Sequence, residues 1–427
     1  MGYSGGVDSH VLLHLLATQR HRLGARELVA IYIDHGLQPA AAQWSDHCRS
    51  VCQALGVDFE TVRINARAEP GDSPEAAARH ARYSAFGQLL NHNDELLTGH
   101  HQDDQAETLL LQLFRGAGPA GLAAMPVTTR LGRGWLWRPL LQAERTEILA
   151  YAQAHRLSWL DDTSNADQSL DRNYLRHTLL PQMKARWPAV TRTLARSARL
   201  CAESTALLNS LADEDLPAVS GPQADCLNLA ALHRLDQTRQ RNVLKRWFTR
   251  LGLPAPRAIH LDHILHDAVA TPRDRQPLIH WPGCEVRRYL DQLYAMTPLP
   301  PYDPRQVICL TPAQSEWLIP DVGTVRGRFA QGQGLRLAAL SNAPLTLRLR
   351  QGGERLRPVG RQHTQTLKKL LQDIAMPPWE RDRLPLLLVN NHLAAVVGVW
   401  IAADFAAAPD EPGFVLEFSP LRQRIGS

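Results

Sequence analysis

The chain has 427 residues, with 47 Lys and Arg against 42 Asp and Glu, a formal net charge of +5 and 44% hydrophobic residues. That length holds two or three domains with buried cores, and the mild positive charge favours an anionic partner. No run of about 18 uncharged apolar residues and no leader pattern occurs, and the six scattered cysteines form no CxxC pair. Membrane spanning, secretion, a disulfide framework and a zinc ribbon are therefore not expected, and a cytoplasmic chain is.

In chain order, Val11–Thr18 reads as a helix and Leu28–Ile33 as a buried strand. Ala42–Leu55 and Ser73–Leu90 are helical in pattern, the second with Ser73 as N-cap ahead of Pro74. Glu95–Thr98 is a short strand, Asp103–Phe114 an amphipathic helix and Glu144–His155 another helix. Strands alternating with helices predict an α/β domain over 1–187, with a parallel sheet of the nucleotide-binding, Rossmann-like kind. From 188 to 297 the pattern predicts a helical middle domain: Thr191–Leu211, Leu229–His233 and Gln237–Leu251. The proline-rich stretch from Pro298 to Pro304 opens a linker region, 298–343, in which Leu335–Leu340 already reads as a strand. A small α+β domain follows over 344–427, with strands at Leu345–Leu349, Leu386–Val389 and Ala394–Trp400 and a helix at Lys368–Ile374.

Three motifs carry chemistry. Ser4, Gly5, Gly6, Val7, Asp8 and Ser9 precede the first helix, where glycines admit a close ligand and helix amides attract anions. No GK[ST] follows, so this is not a Walker A loop. Asp8 among phosphates would repel them unless Mg²⁺ offsets its charge, which makes Asp8 the candidate metal ligand. Next, His100-His101-Gln102-Asp103-Asp104-Gln105-Ala106-Glu107 follows a strand. Asp104 and Glu107, three apart, share a helix face and could hold an amine, hold Mg²⁺ or accept a proton. Capping of the helix start is the competing explanation for the acids, Asp103 above all. Third, Arg115-Gly116-Ala117-Gly118-Pro119-Ala120-Gly121 suits a loop folded over a ligand, with Arg115 placed to meet phosphate charge. Arg79 and Arg82 lie three apart on the Ser73–Leu90 helix. Basic residues concentrate twice: seven Lys/Arg and no Asp/Glu from Arg172 to Leu200, and nine basic against four acidic residues from Pro344 to Arg383. Two such excesses fit a long polyanion.

Together these elements resemble the N-type ATP-pyrophosphatases of the PP-loop superfamily. Ile33-Asp34-His35-Gly36-Leu37, Glu75 to Arg79 with Ala81-Arg82-Tyr83, the acidic and glycine-rich motifs, and Arg138-Pro139-Leu140-Leu141 narrow the resemblance. So do Asp162-Thr163-Ser164-Asn165 with Arg172, Asn173 and Arg176, and the stretch from Lys368-Lys369 through Pro377-Pro378-Trp379 to Leu386. The chain resembles the tRNA(Ile)-lysidine synthetase family over nearly its whole length.

That resemblance implies a ligase that adenylates the wobble cytidine of the minor isoleucine tRNA with ATP and then attaches free lysine. It implies ATP at Ser4–Ser9, lysine at His101, Asp104 and Glu107, and Arg82 and Arg115 as further catalytic groups. It implies tRNA on Arg172, Arg176, Arg192, Arg196, Arg199, Arg355, Arg357, Lys368 and Lys369, with no stable protein partner beyond a homodimer. A tRNA thiolase of the same superfamily and a non-catalytic tRNA-binding protein are the alternatives. One departure stands out: the family has a strand directly before the Ser4 loop, where this chain begins Met1-Gly2-Tyr3. Truncation or a misassigned start, with neighbouring strands left unpaired and weak activity, is the expectation.

Overall fold

The apolar run after Leu28 forms β1 (Val29–Asp34), which pairs in parallel with β2 (Asp58–Arg63). The computed structural model describes every residue except 24–26, 35–40, 66–73, 161–166, 270–276, 311–313, 342 and 422–427. It divides into two units, Met1–Leu208 and Asn209–Ser427.

Within the first unit, β3 (Glu95–Leu97) runs parallel to the second strand of a hairpin, β4 (Thr128–Leu131) and β5 (Gly134–Trp137). Met1–Tyr3 lie between β1 and β3. Ile31 N–H donates to Met1 O at 2.8 Å, Tyr3 N–H to Ile31 O at 2.9 Å and Gly2 N–H to Leu97 O at 2.9 Å. The structure thus corrects the expectation of unpaired neighbours: in extended chain, successive residues point their amides to opposite sides, so three residues reach both strands. Tyr3 is only 1% exposed, packed with Leu12, Leu13 and Ala30.

Helices cover both faces. On one side α1 (Val7–Thr18) and α2 (Ala41–Ala54) bury Leu12, Leu13, Cys48 and Cys52. On the other, α3 (Pro74–Leu89) sets Phe86 against Ile33, Leu96 and Leu136. Then come α4 (Gln102–Phe114), α5 (Pro119–Leu122) and α6 (Arg145–Ala154). A last stretch runs from α7 (Asp171–Tyr174) through a π-helical turn, Leu175–Leu179, into α8 (Leu180–Arg186) and on to α9 (Val190–Val219). Ser73, Asp162–Asn165 and His35–Leu37 lie outside the described residues.

The second unit departs from the sequence reading in two places. Its helices, chiefly α10 (Leu229–Leu232) and α11 (Gln237–Arg250), pack against a four-stranded antiparallel sheet not anticipated between 188 and 297. That sheet joins Cys226–Asn228 to the meander Leu278–Trp281, Cys284–Tyr289 and Gln292–Met296, and so depends on partners remote in sequence. Nor is 298–343 a linker region: Glu316–Ile319 pairs with Gly323–Gln331, which pairs along its length with Pro412–Pro420. Alternation buries Trp317, Ile319 and Val325 in one core with Leu347 and Leu387. Leu335–Leu340, expected as a strand, is a strand only at Leu335–Arg336 before a helical turn, Leu337–Leu340. Among the described residues no helix is long and apolar enough to cross a membrane.

Candidate active site

The loop before α1 is shaped by its residues. Gly5 takes φ +82°, in the left-handed region open to glycine, and Gly6 caps the helix without any side chain over its first amides. Ser9 Oγ accepts from Ser4 N–H at 3.2 Å and donates to Gly6 O at 2.9 Å, with Ser4 Oγ 3.1 Å away. Beneath it, the chain leaving β3 comes so close that a Cβ on Gly99 would lie 2.8 Å from Asp8 O. The result is an anion cradle held rigidly at the carboxyl end of the strands, where open α/β sheets bind ligands.

α4 starts beside that cradle. His101 caps it: its Nδ1 accepts from Asp103 N–H at 3.2 Å, and Asp104 Oδ2 accepts from His101 N–H at 3.0 Å. Capping by Asp104 and a second set of interactions coexist. His101 Nε2 points between two acids, 3.6 Å from Asp8 Oδ1 and 3.5 Å from Asp104 Oδ2. Burial alone would lower the His101 imidazolium, but Asp8 and Asp104 outweigh it and raise its pKa. His100 goes the other way: burial, with Arg138, Arg79 and Arg172 outweighing Asp104, lowers it to about 4, a neutral ring at pH 7.

Glu107 is fully buried and holds two guanidinium groups. Arg172 Nε donates to Oε2 at 2.9 Å, Arg176 Nε to Oε1 at 2.7 Å, and Arg176 reaches Asp104 Oδ1 at 2.9 Å. Burial would raise the Asp104 carboxyl, but His101, His100, Arg176 and Arg172 hold it well below the usual carboxylate range. The structure therefore turns Arg172 and Arg176, expected on tRNA, inward onto the acid pair, because a buried carboxylate needs a paired charge. Lys184 does the same for Asp103 at 2.7 Å.

Other expected site residues fall elsewhere. Arg82, exposed on α3, is within electrostatic reach of Arg172 and so lies at the edge of the acid pair and not on it. Arg115 is the exposed C-cap of α4, roughly 16 Å along the helix from Asp104 at 1.5 Å per residue, and is not brought to the acids. On α9, Arg192 pairs with Glu144 and Arg199 with Glu203, while Arg196 is exposed. In the second unit Arg355, Lys368 and Lys369 are exposed and Arg357 pairs with Asp404. Spacing does not single out Lys184 or the buried Arg138, whose Nη1 donates to Pro126 O at 2.6 Å; only the fold brings them in.

Three family models match in chain order: a PP-loop domain over residues 1–183, a TilS substrate binding domain over 227–294 and a TilS substrate C-terminal domain over 345–418. The tRNA(Ile)-lysidine synthase of Coxiella burnetii is 41% identical across 98% of this chain and 93% of its own length. That of Methylococcus capsulatus is 42% identical, across 98% and 96%. The chain belongs to the tRNA(Ile)-lysidine synthase family. It is accordingly a ligase forming a C–N bond, and the PP-loop of such a synthase is an ATP-using element. The PP-loop match spans the cradle at Ser4–Ser9, and α4 presents the acids next to it.

Proposed function

We propose that this chain joins lysine to C2 of the wobble cytidine of the minor isoleucine tRNA through an adenylated base, giving lysidine, AMP and pyrophosphate. One juxtaposition carries this: through His101, an anion cradle stands against a carboxylate pair that holds cations. A ligase that uses a triphosphate to activate a base for an amine needs these two sites side by side.

In the first step the C2 oxygen attacks the α-phosphorus of ATP and pyrophosphate leaves. The α1 amides and the Ser4 hydroxyl receive its charge, with Ser9 bracing the loop. Asp8 Oδ1 is buried without a hydrogen bond, which fits a divalent cation, and no cluster of three metal-ligating side chains occurs among the described residues. Asp8 would hold Mg²⁺ beside the phosphates. When bound, the ion neutralises the leaving pyrophosphate.

In the second step the lysine ε-amine forms a C–N bond at C2, the C2–O bond breaks, and AMP carries away that oxygen. The ammonium of lysine takes the place of Arg176 on Asp104 and Glu107. The carboxylate in contact with that ammonium, Asp104 or Glu107, accepts its proton as the amine attacks. The exposed Arg196 and Lys368-Lys369 belong to separate basic regions suited to tRNA phosphates.

The thiolase alternative fares worse. Cys48 and Cys52, packed under the cradle's helix, are buried free thiols that burial pushes up to about 12 and about 11, so neither offers a thiolate. The test is AMP release from α-labelled ATP with and without the tRNA and lysine, with mass analysis of the digested tRNA. AMP should require tRNA, and cytidine should gain the mass of lysine less water. Sulfur gain, or no AMP at all, overturns the reading.

A further inference from the structure

The hairpin beside the site carries a feature that neither ATP nor lysine uses. From Thr108 to Ala143 the chain has four arginines and no Asp, Glu or Lys, and three of those arginines fall in the hairpin sequence Arg130-Leu131-Gly132-Arg133-Gly134-Trp135-Leu136-Trp137-Arg138. Alternation along β5 splits its residues between two faces. Leu136 is 1% exposed against Phe86 and Leu90, whereas Trp135 and Trp137 look the other way and stay 38% and 39% exposed. Register places Arg130 opposite Trp135 and Thr128 opposite Trp137 on that same face. The Arg130 guanidinium lies 4.2 Å from the Trp135 ring centre and is steadied by the Arg133 carbonyl at 3.4 Å. The acid beside this face is Glu95, opposite Trp135 on β3.

Two exposed indoles and a stacked guanidinium, interleaved with positive charge, are what unstacked nucleobases bind. Their position selects which bases. Trp137 O accepts from Thr98 N–H at 3.0 Å, so this face begins at the same strand ends that carry His100 and His101. We infer that Trp135, Trp137 and Arg130 form a stacking platform for unpaired bases flanking the cytidine to be modified. This deepens, and rests on, the proposed function. RNA is favoured over a protein partner because the hairpin's own charged side chains are all arginines and β5 presents two flat rings side by side on its exposed face.

The test is the Kd of full-length protein for two RNAs by filter binding: the isoleucine tRNA with a CAU anticodon, and the same tRNA made abasic at the two nucleotides flanking the cytidine. Trp137→Ala and Trp137→Leu should each weaken binding of the intact tRNA by about 5-fold to 150-fold, the range set by one stacked base. Trp137→Phe should recover most of that loss, and Trp135→Ala should behave like Trp137→Ala. With the abasic tRNA, wild type and variants should converge. Equal losses on both RNAs would mean that the tryptophans only stabilise the hairpin, and unchanged Kd values would assign the surface to something other than tRNA; either result overturns the platform. The leucine variant keeps apolar bulk, so it guards against simple misfolding. Wild-type AMP release separates the two levels. Without tRNA-dependent AMP the functional reading itself fails, whereas normal AMP release with unaffected variants removes the platform alone.

Discussion

Glu107 in the first unit and Asp213 in the second each hold two arginines, and the likeness ends there. Glu107 is 0% exposed and its partners come from a stretch more than sixty residues away, Arg172 and Arg176. Asp213 has a 29% exposed side chain, and its partners Arg246 and Arg250 are four apart on α11, at 2.7 and 2.9 Å. Water screens the second arrangement and not the first, so removing a partner matters in one and hardly in the other. The contrast shows where this chain concentrates unscreened charge: next to the anion cradle.

The sharpest way to break this comparison is Glu107→Gln. It takes from partly buried Arg172 its carboxylate partner and leaves Arg176 with Asp104 alone, so unfolding free energy should fall by about 3–5 kcal/mol, while Asp213→Asn should leave the urea midpoint indistinguishable from wild type. Equal shifts would erase the distinction. Lysine should also lose affinity for Glu107→Gln, seen as a raised KM.

A smaller loss, in activity and not in stability, is expected of Asp8→Ala. Removing the group proposed to hold Mg²⁺ should slow tRNA-dependent pyrophosphate release by about 10²–10³-fold, by analogy with loss of one preorganised charge-stabilising group. tRNA binding, measured on filters, should stay unchanged; normal release would remove Asp8 from the cradle chemistry.

Like charges give a weaker, pH-dependent effect. The His14 ring lies 4.9 Å from that of His155, tilted against it, and bonds Tyr151 at 2.9 Å, and burial, then His155, lowers its pKa below the ordinary 6.5. A depressed imidazole favours the fold when neutral. Its contribution is therefore complete above 6.5 and lost as pH falls through the lowered folded value. His14→Gln should flatten the decline in urea midpoint on the acid side; an unaltered decline would place the titration elsewhere.

The smallest effect concerns α9. Arg192/Arg196/Arg199→Ala should lower the salt dependence of tRNA binding by about one unit of slope for each phosphate no longer neutralised, with ATP affinity unmoved. Superimposable salt plots would confine these arginines to their pairs with Glu144 and Glu203.

Several features were legible in the residues themselves: the helix after Ser4–Ser9, the shared face of Asp104 and Glu107, and the alternation of strands and helices before Asp171. All are consequences of local geometry, since a period of 3.6 or 2 and a glycine at positive φ need no distant partner. Family membership was legible too, through motifs of the same local kind. What only the tertiary structure decided is every partner remote in sequence. Arg172 and Arg176 carry the same charge as exposed Arg196, and nothing in their neighbours tells that they turn onto Glu107. Met1–Tyr3 is too short to read as a strand, yet β1 and Leu97 supply hydrogen bonds on both sides of it. Glu316–Ile319 and Gly323–Gln331 became sheet because Pro412–Pro420 lies alongside. Burial makes those choices: a desolvated carboxylate or amide must find a partner, and which partner comes within reach is a property of the folded chain.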